Sequence, residues 1–481
     1  MFQGRIGNEA QVVGFTHERQ VETKNSPRRS PFIKMLLIHK NVTPIKEKEA
    51  MCVIVASLIA YNAAEPLIDE ILSRAGLIWL YAPESCHGVI IARRPSLSER
   101  LMAYEQLEQS QPWIKWLHKF LLVCLVPWYS RNFYFHLLMI LKVSPPWWVL
   151  FVKIHKFFKP KETPATVNKQ ISRILRLFVR NAFRTKRVLA VTRLTVPHLL
   201  CSKDLDVTTL VESWDHPGKF PNGYVSRKVF IWNEALASDW RKFQGDSEVE
   251  VGYPLKLAYA LEASEKKSKI QLWENRRILY PATFSSYSHP SFFREELRML
   301  DLLCSAAASN NVRIYIKPKP NGPLGDFECL KGRQKNIEVG DDGGASGPTS
   351  YFLDEIYNKK RLTLMRKCDA VVNLGTTFGL DAAAFGLPVF QLFIKDQFMY
   401  PYLTSAYLSY HLQHLISRPD EIYEISPKNS AENVFEKMFN PPNSAKAVGL
   451  SQNLREWLCD PKTSCKNAVS RMVDSFLQMN K

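Results

Sequence analysis

Short apolar runs alternate with helix-length amphipathic stretches along most of this 481-residue chain, and the alternation stops once and restarts. Runs such as DAVVNL (369–374), apolar almost throughout, suit strands buried on both faces, as a parallel sheet requires. In the first half the pattern is carried by CVIVASLIAY, the helix-like PLIDEILSRAG, LIWLYAP and GVIIARR. It continues through the strand-like VLAVT (188–192), TTLVESW (208–214), KVFIWN (228–233) and VEVGYP (249–254). Residues 255–276 are charged and carry no strand alternation in their middle, which predicts a linker. The second half then repeats the scheme with RILYPATF and the helix FFREELRMLDLLCSAAASN, whose Leu297, Leu300 and Leu303 share one side. VRIYIKPKP, the flexible loop GDDGGASGPTS, the helix FLDEIYNKKRLTLMRKC and DAVVNL follow. A chain this long exceeds one ordinary core. The predicted class is α/β, with two Rossmann-like domains facing a cleft and ligands at the C-terminal ends of the strands. The expected division is a disordered tail over 1–33, an N-terminal domain over 34–254, the linker 255–276 and a C-terminal domain over 277–481.

Residues 113–187 interrupt the alternation as a helical insertion. Within 113–158, Trp113, Trp116, Trp128, Trp147 and Trp148 alternate with Lys115, Lys119, Arg131, Lys142, Lys153 and Lys156. No window reaches the ~18 charge-free apolar residues of a membrane span. The composition fits a segment lying on the inner membrane surface, with rings at headgroup depth and cations on anionic lipid. It fits equally a buried helical hairpin whose lysines snorkel. ISRILRLFVRNAFRTKR (171–187) is a basic amphipathic helix that either extends this face or stands in solvent.

The formal net charge of +18 favours an anionic partner. Without a clustered Arg/Lys helix or zinc-finger spacing, nucleic acid is not the expected one. The nine cysteines form no C-x-x-C pair and read as reduced thiols of a cytosolic protein. The polar opening MFQGRIGNEAQVVGFTHERQ lacks an apolar h-region, so no cleaved signal peptide is expected, and Met35 before LLIH offers an alternative start.

The stretch NLGTTFGLDAAAFGLPVF (373–390) carries the chemistry. Gly375 permits a tight turn off the strand, and Thr376 or Thr377 can cap the helix that follows. Amides behind the cap and the helix dipole welcome an anion, and the two hydroxyls add donors for phosphate oxygens. Asp381, one turn in from Thr377, is placed to accept hydrogen bonds from a ribose diol. Ala382, Ala383 and Ala384 allow close packing on the sheet, and Gly386 and Pro388 end the helix. A plain βαβ unit with a capped helix reads the same residues as well.

This stretch resembles the donor-nucleotide element of GT-B glycosyltransferases, enzymes with two facing Rossmann-like domains. Asp381 stands where that family usually has Glu. LVESWDHPGKFPNGYVSRKVFIWNEALASDWRKFQGDSEVEVGYP (210–254) is similar to a segment of a bacterial surface-polysaccharide group on that fold. Ser213, Trp214, Asp215, Gly218, Lys219, Trp232, Asn233, Gly252 and Pro254 follow its pattern, and His216 departs from it. YIKPKPNG corresponds to a strand that in relatives ends in R-P-H-P, with Lys319 at the histidine position. The resemblance covers about residues 188–400.

The resemblance implies transfer of a sugar from a nucleotide-sugar to a cell-surface or lipid-linked glycan at the inner face of the membrane. It implies no metal and no cofactor beyond the nucleotide-sugar substrate. Such a reaction needs a held diphosphate, stabilisation of its leaving charge and a base for the acceptor hydroxyl. Gly375, Thr376, Thr377, Asp381, Lys317, Lys319 and Ser285 are the donor-binding candidates, with Ser286, His289 and Arg277 behind them. Asp215, then His216, are the candidates for the base, at the end of TTLVESW; His198 reads as structural and Glu212 as strand-flanking. No tight D-x-D suits a metal diphosphate site; the nearest, DLD at 204–206, reads as a turn. On the same fold, transfer of a polyol-phosphate from a CDP-activated donor, epimerisation of a nucleotide-sugar, and a membrane-associated scaffold without chemistry stay open.

Overall fold

A computed structural model of the chain describes residues 51–105, 185–191, 205–212, 226–264, 276–319, 323–340, 355–394, 422–425 and 430–478, with short breaks, and Leu117, Arg173 and Ile174 besides. The tail over 1–33, the start at Met35 and nearly all of the insertion over 113–187 lie outside these residues. No helix among the described residues is long and apolar enough to cross a membrane.

The first sheet holds β1 (Met51–Val55), β2 (Ile78–Ala82), β3 (Leu101–Ala103), β4 (Arg187–Val191), β5 (Asp206–Leu210), β6 (Lys228–Ile231) and β7 (Glu248–Val251). Its order is β3-β2-β1-β4-β5-β6-β7, parallel throughout. The second holds β8 (Arg277–Pro281), β9 (Arg313–Lys317), β10 (Ile337–Val339), β11 (Ala370–Asn373), β12 (Val389–Ile394) and β13 (Ile422–Ile425). Its order is β10-β9-β8-β11-β12-β13, again all parallel. The architecture is thus α/β, with two Rossmann-like parallel sheets, as the alternation predicts. The central strands β1, β2, β4, β5, β6, β8 and β11 are buried almost end to end, which is why they read as continuous apolar runs.

The helices are α1 (Leu58–Ala75), α2 (His87–Arg93), α3 (Glu234–Gln244), α4 (Ala258–Glu262), α5 (Pro290–Ser309), α6 (Glu328–Lys331), α7 (Glu355–Lys367), α8 (Phe378–Phe385), α9 (Ala431–Phe439), α10 (Pro441–Leu458) and α11 (Cys465–Gln478). GVIIARR, expected as a strand, forms α2 instead. Only Ile90 of its apolar run is buried, and Arg93 and Arg94 bind Asn62, Glu65 and Asp69 on α1, which holds the segment in a helical turn. At the start of the charged stretch after β7, Leu255–Leu257 makes a 3₁₀ turn on α1 and runs into α4, which lies on α8; residues 265–275, the middle of the expected linker, lie outside the described residues.

The sequence division assigns everything from 277 on to the second lobe, but the last helix packs on the first. Ala468, Val469, Met472, Val473 and Phe476 of α11 join the core formed by α1 and the first sheet. Buried Lys228 at the start of β6 donates to Ser475 at 2.5 Å and pairs with Glu250 at 3.2 Å. Gly252 lies where α11 crosses: a Cβ there would sit 2.8 Å from the Met472 sulfur, so the end of that side chain would have to move.

Candidate functional site

The strand order of the second sheet reverses between β8 and β11, so connections leave their C-terminal ends in opposite directions. Open parallel sheets bind ligands in the crevice that such a switch point creates. Here the loops after β8 and β11 are joined, because Thr283 Oγ1 donates to the Leu374 carbonyl at 2.6 Å. From beneath, the fully buried Glu296 carboxylate on α5 accepts the Tyr280 hydroxyl at 2.9 Å and the amides of Thr283 and Phe284 at 2.7 and 2.9 Å. Burial pushes the Glu296 carboxyl up to about 7, against the pull of those donors and of Lys319. Burial likewise draws the Lys319 ammonium down, with Glu296 opposing.

Sequence reasoning passed over Glu296. It lies on the stripe of Phe292, Met299 and Leu303, all buried. A lone carboxylate on an apolar stripe must find partners, so that position was a usable signal. Ser285, a donor candidate, is fully buried in this loop. Its neighbour Ser286 is bound through both amide and hydroxyl to Asp326, the amide at 3.0 Å.

The turn out of β11 uses Gly375 at φ 69°, as expected of that glycine. Buried Asn373 organises the turn. Its oxygen accepts the Thr376 amide at 3.2 Å and hydroxyl at 2.7 Å, and its amide donates to Gln391 at 2.9 Å and to the Thr376 carbonyl at 3.1 Å. The Thr376 hydroxyl therefore serves the turn. Thr377 is the N-cap residue of α8, makes no side-chain capping bond and is exposed. The amides of Gly379 and Leu380 donate to the carbonyls of Thr376 and Thr377 at 3.4 and 3.0 Å, a tight first turn that already employs two of the amides expected to face an anion. Gly379 is required by Asn373, whose Nδ2 would lie 2.7 Å from a Cβ there. Gly386, left-handed at φ 94°, closes the helix.

Positive charge reaches the start of α8 from side chains instead. The Phe378 ring has Lys317 Nζ at 5.5 Å and the Arg361 guanidinium at 4.9 Å from its centroid. Lys317, the last residue of β9, is 4% exposed and Arg361, on α7, is 9% exposed. Asp381 is also buried; its Oδ1 pairs with Arg361 at 2.8 Å and accepts the Tyr259 hydroxyl at 2.7 Å. The Arg361 guanidinium also lies 5.4 Å from the Tyr259 ring. The structure thus brings together Gly375, Thr376, Thr377, Lys317 and Asp381, and adds Arg361 and Tyr259. No sequence pattern marks either: Tyr259 lies 122 positions from Asp381, and Arg361 is one cation among several on a basic helix.

Partly buried Lys319 follows Lys317 at the end of β9. Arg277 is exposed at the opposite end of β8, its amide held by Asp369 at 3.0 Å, and is no phosphate ligand at this edge. Asp215, His216, His198 and His289 lie outside the described residues. Among the described residues, no three His, Cys, Asp or Glu converge as metal ligands would.

No protein-family model matches the chain, and no curated protein matches it. Solved structures with a similar fold include UDP-GlcNAc 2-epimerase from Neisseria meningitidis bound to UDP-GlcNAc, at 14% identity and a TM-score of 0.43, covering 89% of this chain and 100% of that one. MurG from Acinetobacter baumannii is similar at 11% identity and a TM-score of 0.43, covering 89% and 100%. HepE from Anabaena in complex with UDP-glucose is similar at 8% identity and a TM-score of 0.42, covering 89% and 99%.

Proposed function

We propose that this chain is a metal-independent glycosyltransferase that moves a sugar from a nucleotide-sugar to a cell-surface or lipid-linked glycan. The observation that supports it most is the pair of buried cations, Lys317 and Arg361, held on the Phe378 ring at the switch point of the second sheet. A departing nucleoside diphosphate carries its charge at such a place. Fixed cations with little water around them stabilise that charge more strongly than the same groups would in bulk water. Thr377 offers an exposed hydroxyl at the same helix start. Tyr259 and Arg361 both bind Asp381 through Oδ1, so Oδ2 is the oxygen to accept a ribose hydroxyl. Lys319 adds a second cation at the end of β9. Asp215, with His216 behind it, serves as base for the acceptor. The Trp- and Lys-rich segment 113–158 sets the enzyme on the inner membrane surface, beside a lipid-linked acceptor.

The test is a panel of UDP-, GDP- and CDP-activated sugars and polyols, followed by NMR with and without lipid-linked acceptor. Acceptor-dependent release of a nucleoside diphosphate is expected. Conversion of the donor to its epimer would reassign the chain to nucleotide-sugar epimerisation, and release of CMP from a CDP-polyol to polyol-phosphate transfer. Absence of binding to every member, with liposome binding intact, would leave a scaffold.

A further inference from the structure

We infer that Tyr259 and Arg361 are positioning residues for Asp381, so that a residue of the connector between the lobes sets ribose recognition in the second lobe; this rests on the nucleotide-sugar reading above. The connector's 3₁₀ turn lies on α1 and its helix α4 on α8, so Tyr259 stands between the two sheets' helices. Its hydroxyl and the Arg361 guanidinium meet the same oxygen, Asp381 Oδ1, at 2.7 and 2.8 Å. A carboxylate oxygen offers about two acceptor sites, so these partners fill Oδ1, fix the carboxylate plane and turn Oδ2 to the ligand's hydroxyl.

Arg361 cannot drift from this arrangement cheaply. Its guanidinium lies against two rings, Phe378 at 4.9 Å and Tyr259 at 5.4 Å, and leaving Oδ1 would forfeit both contacts. Asp381 is buried on a helix whose every residue is buried, and its two partners on Oδ1 hold the carboxylate in one orientation. Tyr259 is the one member of this trio that does not belong to the second sheet's βα units. A shift of the connector withdraws its hydroxyl and loosens the carboxylate, which makes diol recognition dependent on the placement of α4 over α8.

Isothermal titration of the full chain with UDP, CDP, GDP and ADP and their 2′,3′-dideoxy analogues tests this. The best-binding diphosphate should bind about tenfold or more tightly than its dideoxy form, the worth of a hydrogen bond to a charged group. Tyr259→Phe should narrow that preference about fivefold, by weakening the ribonucleotide more than the analogue. Arg361→Lys, which keeps the charge but loses the fixed fork, should narrow it as well. If Tyr259→Phe leaves the preference intact, or weakens both ligands equally, the inference is overturned while the nucleotide reading stands. If the unmodified chain binds none of the eight, or binds without preference for the diol, the reading of the site falls and the inference with it.

Discussion

Thr283 Oγ1 donates to the Leu374 main-chain carbonyl at 2.6 Å, and this bond joins the loops that follow the two strands at the reversal of strand order in the second sheet. The same threonine is held at its amide by Glu296, 2.7 Å away. One residue thus ties the loop after β8 both to the core helix beneath it and to the loop that launches α8. A ligand crevice at a switch point needs both its walls fixed, and buried, fully bonded polar groups are how an α/β sheet fixes them.

Thr283→Val keeps the shape and removes the hydroxyl, leaving the Leu374 carbonyl without this donor. Chemical denaturation should show a loss of about 1–2 kcal/mol. Nucleotide affinity should fall as well, because the loops after β8 and β11 lose the bond between them. A stable variant with unchanged affinity would show that the bridge does not shape the site.

Glu296 makes the site's support pH-sensitive. Its carboxyl is raised by burial from an ordinary 4.5 to about 7. Between those values the folded chain keeps a proton that the unfolded chain has released. The stability contributed by Glu296 is therefore full below about 4.5 and is lost as pH rises through 7, to the extent of about 3 kcal/mol. The groups facing it are the Tyr280 hydroxyl, the Thr283 and Phe284 amides and Lys319. Melting temperatures of Glu296→Gln measured from pH 4.5 to 7 should follow a flatter profile than those of the unmodified chain. Parallel profiles would contradict the assignment.

Removing Asp381 takes from Arg361 its buried ion-pair partner. Both side chains are at least nine-tenths buried, so Asp381→Ala leaves a guanidinium in the interior without its carboxylate. The expected cost is about 3–5 kcal/mol, together with loss of nucleotide binding. Asp381→Asn retains an acceptor oxygen for Tyr259 and should fold more stably than the alanine variant while still losing ribose preference. Equal stability of the two variants in urea melts would argue against a buried ion pair at this place.

Much of the fold is readable from residue order, for a physical reason. Strands buried on both faces must be apolar throughout, so VLAVT, KVFIWN and DAVVNL announce β4, β6 and β11 within a residue or two. Glycines that adopt φ 69° and φ 94° likewise announce the ends of the turn and helix around Gly375 and Gly386. What escapes is decided by contacts distant in sequence. GVIIARR has strand composition but becomes α2 through its arginines' partners on α1. Three-residue strands such as β3 and β10 are too short for a pattern. Tyr259 and Arg361 matter only because the fold carries them to Asp381. The return of α11 to the first lobe is invisible for the same reason, since its apolar stripe says only that it packs somewhere.

That return makes a separate prediction. Truncation after Ser464 removes five core side chains, from Ala468 to Phe476, and the Ser475 partner of buried Lys228. The first lobe, not the second, should lose cooperativity, and hydrogen exchange of β1, β4 and α1 should rise sharply. Protection lost chiefly in β8 and β11 would show that α11 supports the other sheet.

The central claim is that Lys317 and Arg361 hold a diphosphate at the start of α8 while Asp381 holds the ribose. A crystal structure of the chain with its best-binding nucleoside diphosphate tests it most directly. The account predicts phosphate oxygens in hydrogen-bonding range of Lys317 Nζ and the Arg361 guanidinium, and a ribose hydroxyl on Asp381 Oδ2. A nucleotide bound elsewhere, with those two cations still stacked on Phe378 and no phosphate beside them, would contradict it.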